Sequence, residues 1–460
     1  MADNKKVSME DLISLCKRRG FIYQGSEIYG GLAGTWDYGP LGVMLKDAIK
    51  RLWWKRFVDD RTDMYGMDAA ILMNQKTWVS SGHVGGFADP LVEDLKTKKR
   101  YRADHLLEDA GLNPAGKTVE QMNELIKEKG IKSPDGNPLG DVRQFNMMFK
   151  TNIGAIESDE NVVYLRPETA QGMFVNFKNI LDTFHPRLPF GMGQIGKAFR
   201  NEIAPRDFVF RVREFEQMEI EYFVDPKNWE ASFEEFRKEV WNFILDIGLD
   251  KDKLHELEIA PEDRAHYSAR TIDFEYDFPF GKKELYGLAY RTDFDLKAHT
   301  DGSKVDLSYF DEEAKERFTP HCIEPSFGLD RTVLAVLATA YSVDNLGGEE
   351  RAFLKLSPAV APYRVAVFPL LKNKPELIAK AKEVWQKLRE SAQKNGIPAS
   401  KIVYDETGSI GKRYRRQDEI GTPLCVTVDF DSLEKGTVTV RDRDSGEQKV
   451  VNIENIDTLL

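Results

Sequence analysis

The sequence predicts an α+β protein: an antiparallel sheet flanked by helices, followed by a smaller α/β domain at the C-terminal end. Three observations carry that prediction. Stretches 161–165, 194–202, 215–224, 272–277 and 284–291 read as strands bounded by turns, without the strand–helix alternation of a parallel sheet. The pair Gly347-Gly348 and the proline-rich run 357–362 then break the regular pattern, as a linker would. Beyond that break the chain alternates strand 364–370, helix 375–395, strand 401–404, helix 413–419 and strand 424–429. That is a separate unit of about 100 residues, an ordinary domain size.

The remaining elements follow in order. Ser8-x-x-Asp11 has the form of a capping box, opening a helix that Gly20 can close. After the glycine-rich stretch 30–42, residues 41–58 show helical apolar spacing at Leu41, Met44, Leu45, Ile49, Leu52, Trp53 and Phe57. From 92 to 150 the chain becomes charged, with turn signals at Asn113-Pro114 and Pro134-Asp135-Gly136, and reads as a helical insertion. The expected division is therefore 1–91 with 151–345 as the main domain, 92–150 inserted, 346–362 linking, and 363–460 as the last domain.

Composition narrows the class. The 460 residues are 41% hydrophobic and 31% charged, a globular balance with room for two or three cores. The N-terminal residues lack the apolar stretch of a secretory signal, and no apolar run approaches the length of a membrane span, so a cytoplasmic location is expected. Cys16, Cys322 and Cys425 are isolated, which argues against a disulfide framework and against a cysteine-rich zinc site; no zinc is expected. The net charge of −11 counts against nucleic acid, yet binding depends on local patches. Two basic patches stand out, KTKKRYR at 96–102 and KRYRR at 412–416, although such runs are more often solvated faces.

Alternation sorts the strand residues by face. In 194–202, Gln194, Gly196, Ala198, Arg200 and Glu202 point one way, leaving space for a flat polar ligand beside an Arg and a Glu. In 215–224, Phe215, Gln217 and Glu219 share one face, while Met218, Ile220 and Tyr222 form a core-like set on the other. Spacing alone leaves two readings open. One is a ligand site; the other is a surface hairpin with cross-strand Arg–Glu pairs, each contributing under ~1 kcal/mol.

Longer phrases add to this. Phe199-Arg200-Asn201-Glu202, a loop, then Arg213-Glu214-Phe215 resembles motif 2 of the class II aminoacyl-tRNA synthetases. His321-Cys322-Ile323-Glu324-Pro325-Ser326-Phe327-Gly328-Leu329-Asp330-Arg331 resembles their motif 3. The Gly39-Pro40 entry and helix 41–58 match motif 1, but the proline expected near Ala69-Ala70 is absent. Within the class, Arg166-Pro167-Glu168-Thr169-Ala170-Gln171-Gly172, Phe215-Glu216-Gln217-Met218-Glu219 and Glu284-Leu285-x-Gly287-x-Ala289-x-Arg291-Thr292-Asp293 are similar to the homodimeric glycyl-tRNA synthetases. The likeness covers nearly the whole chain, including an anticodon-binding domain at its end.

The resemblance implies the class II antiparallel catalytic sheet and an ATP-dependent ligase with glycine and tRNA(Gly) as substrates. It implies an ATP site formed by Arg200, Asn201, Glu202, Phe210, Arg211, Val212, Arg213, Glu214, Phe215, Glu284, Leu285, Gly328, Leu329, Asp330 and Arg331. Arg200, Arg291 and Arg331 take the catalytic roles in it, as fixed charges on phosphate oxygens. Glu284 is the matching position for Mg2+ bound with ATP. Glycine is expected among Arg100, Glu168, Phe215, Glu216, Gln217, Met218, Glu219, Glu324, Pro325, Ser326, Phe327 and Gly328, with Glu168, Glu219, Glu324 and Ser326 around its ammonium. Arg291 has an alternative, a structural ion pair with Asp293 or Asp295. Without a side chain to grip, glycine is selected by refusing larger ligands, so no editing domain is expected. His299 and His321 lack a second ligand at metal spacing and are expected to be polar core or surface residues; Cys322 is expected to pack. Tyr414 is an expected part of the anticodon surface, the 96–102 patch could meet the acceptor stem, and the motif 1 helix implies a homodimer.

Overall fold

The computed structural model describes residues 8–114, 116–155, 158, 161–346 and 348–460. Gly347 of the expected linker signal and residues 1–7 lie outside the described residues.

Helix α1 (Met9–Arg19) starts where the Ser8 hydroxyl accepts the Asp11 N–H and stops at Gly20, whose φ of 76° suits a residue without a Cβ. Helix α2 (Pro40–Trp54) opens with proline at its first position and buries Leu41, Leu45, Ile49 and Trp53 before a wider turn at Lys55–Asp59. The main sheet follows: β1 (Met64–Gly66), β2 (Phe190–Phe199), β3 (Glu214–Val224), then helix α3 (Trp229–Asp246), β4 (Leu254–Glu258), β5 (Arg270–Phe278), β6 (Gly281–Thr292) and β7 (His321–Gly328), which runs directly into helix α4 (Leu329–Ala340). The order is β4-β5-β6-β7-β3-β2-β1, antiparallel throughout except for the β1–β2 pair.

The two faces of this sheet have different chemistry. Met218, Ile220, Tyr222, Leu288, Ile323 and Phe327 point into one core with Trp53, Phe57, Phe243 and Val333 from α2, α3 and α4. Alternation sends their neighbours to the opposite face. There the register lines up Gly196, Gln217 and Gly328 in one row, and Gln194, Glu219, Ser326, Gly287 and Asp273 in the next. A polar floor thus stands on an apolar core, and strand pairing sets its spacing.

The insertion is not purely helical. Ala88–Glu93, Arg100–Arg102 and Arg143–Asn146 form a small sheet that packs with helices Ala103–Asp109 and Val119–Glu128 around Val92, Leu107, Met122 and Ile126. Strands this short pair across long stretches of chain, which a local periodicity cannot register. The segment 346–362 also departs from expectation. Tyr341–Leu346 and Glu349–Leu354 pair as a hairpin, so the first half of the expected linker is regular structure, and Arg351 on it is only 2% exposed.

The last unit contains β8 (Val365–Pro369), α5 (Pro375–Lys394), β9 (Ile402–Tyr404), α6 (Ile410–Glu419), β10 (Leu424–Val428), β11 (Thr437–Asp442) and β12 (Gln448–Asn452). Their order is β9-β8-β10-β11-β12, parallel over the first three strands and antiparallel beyond. A buried ion network ties this unit to the hairpin: Asp418 on α6 accepts from Arg351 at 2.9 Å and from Arg441 at 2.8 and 3.0 Å.

Candidate active site

The polar floor carries two adjoining lobes, of about 180 and 300 Å³, which share Arg200, Gln217, Glu284 and Ser326. The first is lined by Glu202, Phe210, Arg211, Val212, Phe215, Leu285, Gly328 and Arg331 as well. Arg200 leaves the end of β2, anchored by its Nε on the Pro167 carbonyl at 3.1 Å, with its guanidinium 5.3 Å from the Phe215 ring centre. Opposite, Arg331 from the first turn of α4 lies 4.5 Å over the Phe210 ring and 3.1 Å from the Glu284 carboxylate. Arg331 holds that carboxyl below the usual range. Glu202 is buried and its Oε2 has no hydrogen-bond partner among the described residues; Arg211 approaches it only to 3.7 Å. A flat, cation-rimmed slot with an unsatisfied acceptor suits a purine base and a chain of phosphates.

The second lobe is acidic. Glu219 accepts from Ser326 Oγ at 2.8 Å, from Gln217 Nε2 at 3.2 Å and from the Thr169 hydroxyl. Glu324 accepts from Arg291 Nη1 at 2.7 Å. Glu168 accepts from Gln171 Nε2 at 3.0 Å, with His83 Nε2 at 3.4 Å. Burial pushes Glu324 up to about 8, aided by Glu219 and Glu168, even though Arg291 pulls the other way. Burial and Glu168 likewise raise Glu219. Burial opposes the charge on Glu168 too, but His83, Arg291 and the Gln171 amide hold it well below the usual range. Carboxylates crowded into low dielectric attract a cation, and this lobe has the shape and sign to take an ammonium group. Gly287 and Ala289 keep the β6 side open: a Cβ built on Gly287 meets nothing within 4 Å.

Of the residues expected from the sequence, the structure brings together Arg200, Glu202, Phe210, Arg211, Val212, Phe215, Gln217, Glu284, Leu285, Gly328 and Arg331 around the first lobe, and Glu168, Glu219, Glu324 and Ser326 around the second. Others fall elsewhere. Arg291 takes its alternative: Nε and Nη2 meet Asp295 at 2.8 and 2.9 Å and Nη1 meets Glu324, so its donors are already engaged. Arg213 is turned onto the carbonyls of Glu202 and Ala33, and Asn201 lines neither lobe. Glu214 pairs with Lys197 at the exposed surface. Glu216 borders the first lobe, but its carboxylate meets Lys46 and Lys50, both at 2.6 Å, while its N–H bonds Asp330 at 2.7 Å. Met218, Phe327 and Leu329 belong to the hydrophobic core, and Pro325 shares their side of the sheet by alternation. Arg100 sits on the inserted sheet beside Glu93 at 3.6 Å, lining neither lobe. In the last unit, Tyr414 donates or accepts across to Thr427 at 2.6 Å and packs on Phe368 and Arg441, so it supports the domain instead of presenting a free ring.

Sequence reasoning missed Asp273, Tyr267, Gln171 and His83. Asp273 reaches the floor through pairing with Gly287, and no local signal marks it. Tyr267 lies 3.9 Å from the Arg291 guanidinium and comes from a turn between strands. Glu221 was missed as well, although extending the Gln217, Glu219 alternation by one step reaches it. His299 Nε2 donates to the Gln171 amide oxygen at 2.7 Å and is buried, in keeping with a polar core residue.

An antiparallel sheet with an arginine just past its second strand beside an aromatic ring on its third, closed by an arginine at the head of α4, is the arrangement of a class II aminoacyl-tRNA synthetase. Residues 149–340 match the tRNA synthetase class II core domain (G, H, P, S and T), and residues 364–460 match the anticodon binding domain. The fold aligns with prolyl-tRNA synthetases of Cryptosporidium parvum and Giardia lamblia, each at TM-score 0.67, with 14% and 16% identity, covering 100% and 98% of this chain and 75% and 76% of theirs. In sequence the chain is 50% identical to the glycine–tRNA ligase of Bacillus cereus over 449 residues, 96% of each chain. It is 49% identical to that of Caldanaerobacter subterraneus over 466 residues, 99% of this chain and 98% of the relative. The chain belongs to the glycine–tRNA ligase family.

Proposed function

We propose that the two lobes hold the two reactants of the first step in glycine–tRNA ligation. In that reaction glycine and ATP give glycyl-adenylate and pyrophosphate, and the glycyl group then passes to the 3′ end of tRNA(Gly). The observation that carries the assignment is the acidic lobe opening onto Arg200. An ammonium group seated among Glu168, Glu219 and Glu324 leaves its carboxylate directed toward the phosphate-binding arginine.

The residue roles follow from the geometry. Phe215 stacks the adenine and Arg331 covers it from the α4 side, its cation resting between Phe210 and Glu284. Glu202, with its unpartnered oxygen, accepts from the exocyclic amine. Arg200 neutralises charge that builds on the α-phosphate as the glycine carboxylate attacks, and Arg211 meets the outer phosphates. Catalysis here is placement of two anions against fixed cations. Larger amino acids are refused at the packed end of the acidic lobe, where one extra methyl costs about 1–3 kcal/mol.

Asp273 and Glu284 fit Mg2+ delivered with ATP. They offer hard oxygen donors on adjoining strands, and burial together with Glu284 pushes Asp273 up to about 7, so a cation there would be favoured. When bound, the ion would offset charge on the phosphates. The C-terminal domain reads unstacked anticodon bases. A second copy of the chain packs against α2. Glycine-dependent exchange of pyrophosphate into ATP tests the reading: exchange that requires glycine and is not supported by serine or alanine is expected, and absence of exchange with folded protein would overturn it.

A further inference from the structure

Glu221 takes no part in the roles above. It lies two residues beyond Glu219 on β3, and the register that pairs Glu219 with Ser326 and Tyr222 with Ile323 sets it across from Glu324. It is 0% exposed. One carboxyl oxygen accepts from Cys322 Sγ at 2.9 Å; the other, Oε1, has no partner among the described residues. An oxygen from each of Glu219, Glu221 and Glu324 falls within a 4.8 Å group. Below them Met192, Phe223 and Phe174 make the surroundings apolar.

Like charges directly across two strands are unfavourable, and burial multiplies the cost. Arg291 is the guanidinium at this end, and its donors already face Asp295 and Glu324. Glu168 adds a further negative charge to the lobe. Burial, the facing Glu324 and Glu219 push Glu221 well above the carboxylate range; the Arg291 charge pulls the other way, and the Cys322 thiol, a weak donor, adds little to that pull. A carboxylic acid kept neutral in an apolar niche becomes a hydrogen-bond donor.

We propose that Glu221 is a positioning residue for amino-acid binding: from its free oxygen it donates one hydrogen bond into the Glu219–Glu324 pair and keeps that pair turned toward the ligand's ammonium. This rests on the assignment of the acidic lobe to glycine. Pyrophosphate exchange by the full-length protein, varying glycine and ATP separately, tests it. Glu221→Gln keeps shape, neutrality and a donor, and should leave the glycine KM within about threefold of the parent. Glu221→Leu loses the donor and should raise the glycine KM about tenfold or more, with the ATP KM and kcat moving less than about threefold. Comparable large rises for both variants would mean Glu221 acts as an anion; no rise for the leucine variant would reduce it to packing. Either result overturns the proposal. If Glu221→Leu does not fold, the infrared difference between parent and Glu221→Gln at neutral pH decides: a protonated-carboxyl band lost in the variant is expected, and its absence from the parent overturns the proposal. Glu219→Gln separates this from the underlying assignment, because a glycine KM unmoved by that change would remove the lobe itself from glycine binding.

Discussion

Arg200 and Glu324 show what single side chains do in opposite electrical settings. Arg200 stands between Phe87 and Phe215, its Nε held by a carbonyl, so its free nitrogens face the lobe without rearrangement. Arg200→Ala should lower glycine-dependent exchange about 10²–10³-fold, the usual loss for one preorganised donor, with the thermal midpoint little changed; activity within tenfold of the parent would remove it from catalysis. Glu324 binds its proton more tightly folded than unfolded, since burial pushes it up to about 8. Its contribution to stability is therefore full below its unfolded pKa and is lost as pH rises through about 8. A bound ammonium offsets that loss. Saturating glycine should thus raise the thermal midpoint more at about pH 8.5 than at about pH 6.5, and an equal or smaller shift at the higher pH would contradict the placement of Glu324 at the amine. Residues whose chemistry is local were legible in the sequence: Arg200, Phe215, Glu219 and Ser326 announce themselves by face and phrase. Arg291 was not, because whether an arginine is free or ion-paired depends on Asp295 and Glu324, which only the folded sheet brings within reach.

At the scale of elements, one buried cation joins three of them. Lys46 on α2 meets Glu216 of β3 at 2.6 Å and Asp330 of α4 at 3.3 Å, and Asp330 in turn accepts from the β3 backbone and from the Tyr38 hydroxyl. The lysine is 7% exposed, so its removal leaves Asp330 without a cation in low dielectric and Glu216 with Lys50 alone. Lys46→Met should destabilise the protein by about 3–5 kcal/mol, read as the shift in chemical-denaturation midpoint; a change under about 1 kcal/mol would show that the network is solvated and weak. The helix itself was legible from its apolar spacing and the Gly39-Pro40 entry, and so were β2, β3, β5 and β6 to within a few residues at each end, while β1 and β4 were not. Strand ends were less so: β2 stops at Phe199, and Arg200 and Glu202 project from the turn beyond it. The inserted sheet and the 341–354 hairpin were not legible, since their pairing partners are set by chain reversals that carry no hydrophobic period.

At the scale of the whole molecule, two joints remain to be tested. The first is between copies. Ile28, Tyr29 and Leu32 are 89%, 87% and 56% exposed on the loop leading into α2, and Val43 on α2 is 45% exposed, an apolar surface of the kind that a two-fold contact covers. Light scattering should give twice the chain mass of 52.6 kDa, and a mass of one chain at every concentration would contradict a dimer. The second joint is within the chain. Asp418 of the C-terminal domain is 2% exposed and balances Arg351 of the 341–354 hairpin and Arg441 of β11 at once. The hairpin continues from α4, whose first turn holds Arg331, so this carboxylate lies between the anticodon-binding domain and the element that closes the nucleotide lobe. Asp418→Ala takes the carboxylate from the buried Arg441 and leaves Arg351 with Asp344 alone, a cost of up to about 3–5 kcal/mol concentrated at the joint. On the proposed function, adenylate formation uses the polar floor, whereas charging also engages the C-terminal domain on the tRNA. The variant should therefore keep glycine-dependent exchange within about threefold while charging of tRNA(Gly) falls about tenfold or more. Equal losses in both assays would place Asp418 in the support of the catalytic sheet itself, and unchanged charging would show that the two domains act without this contact.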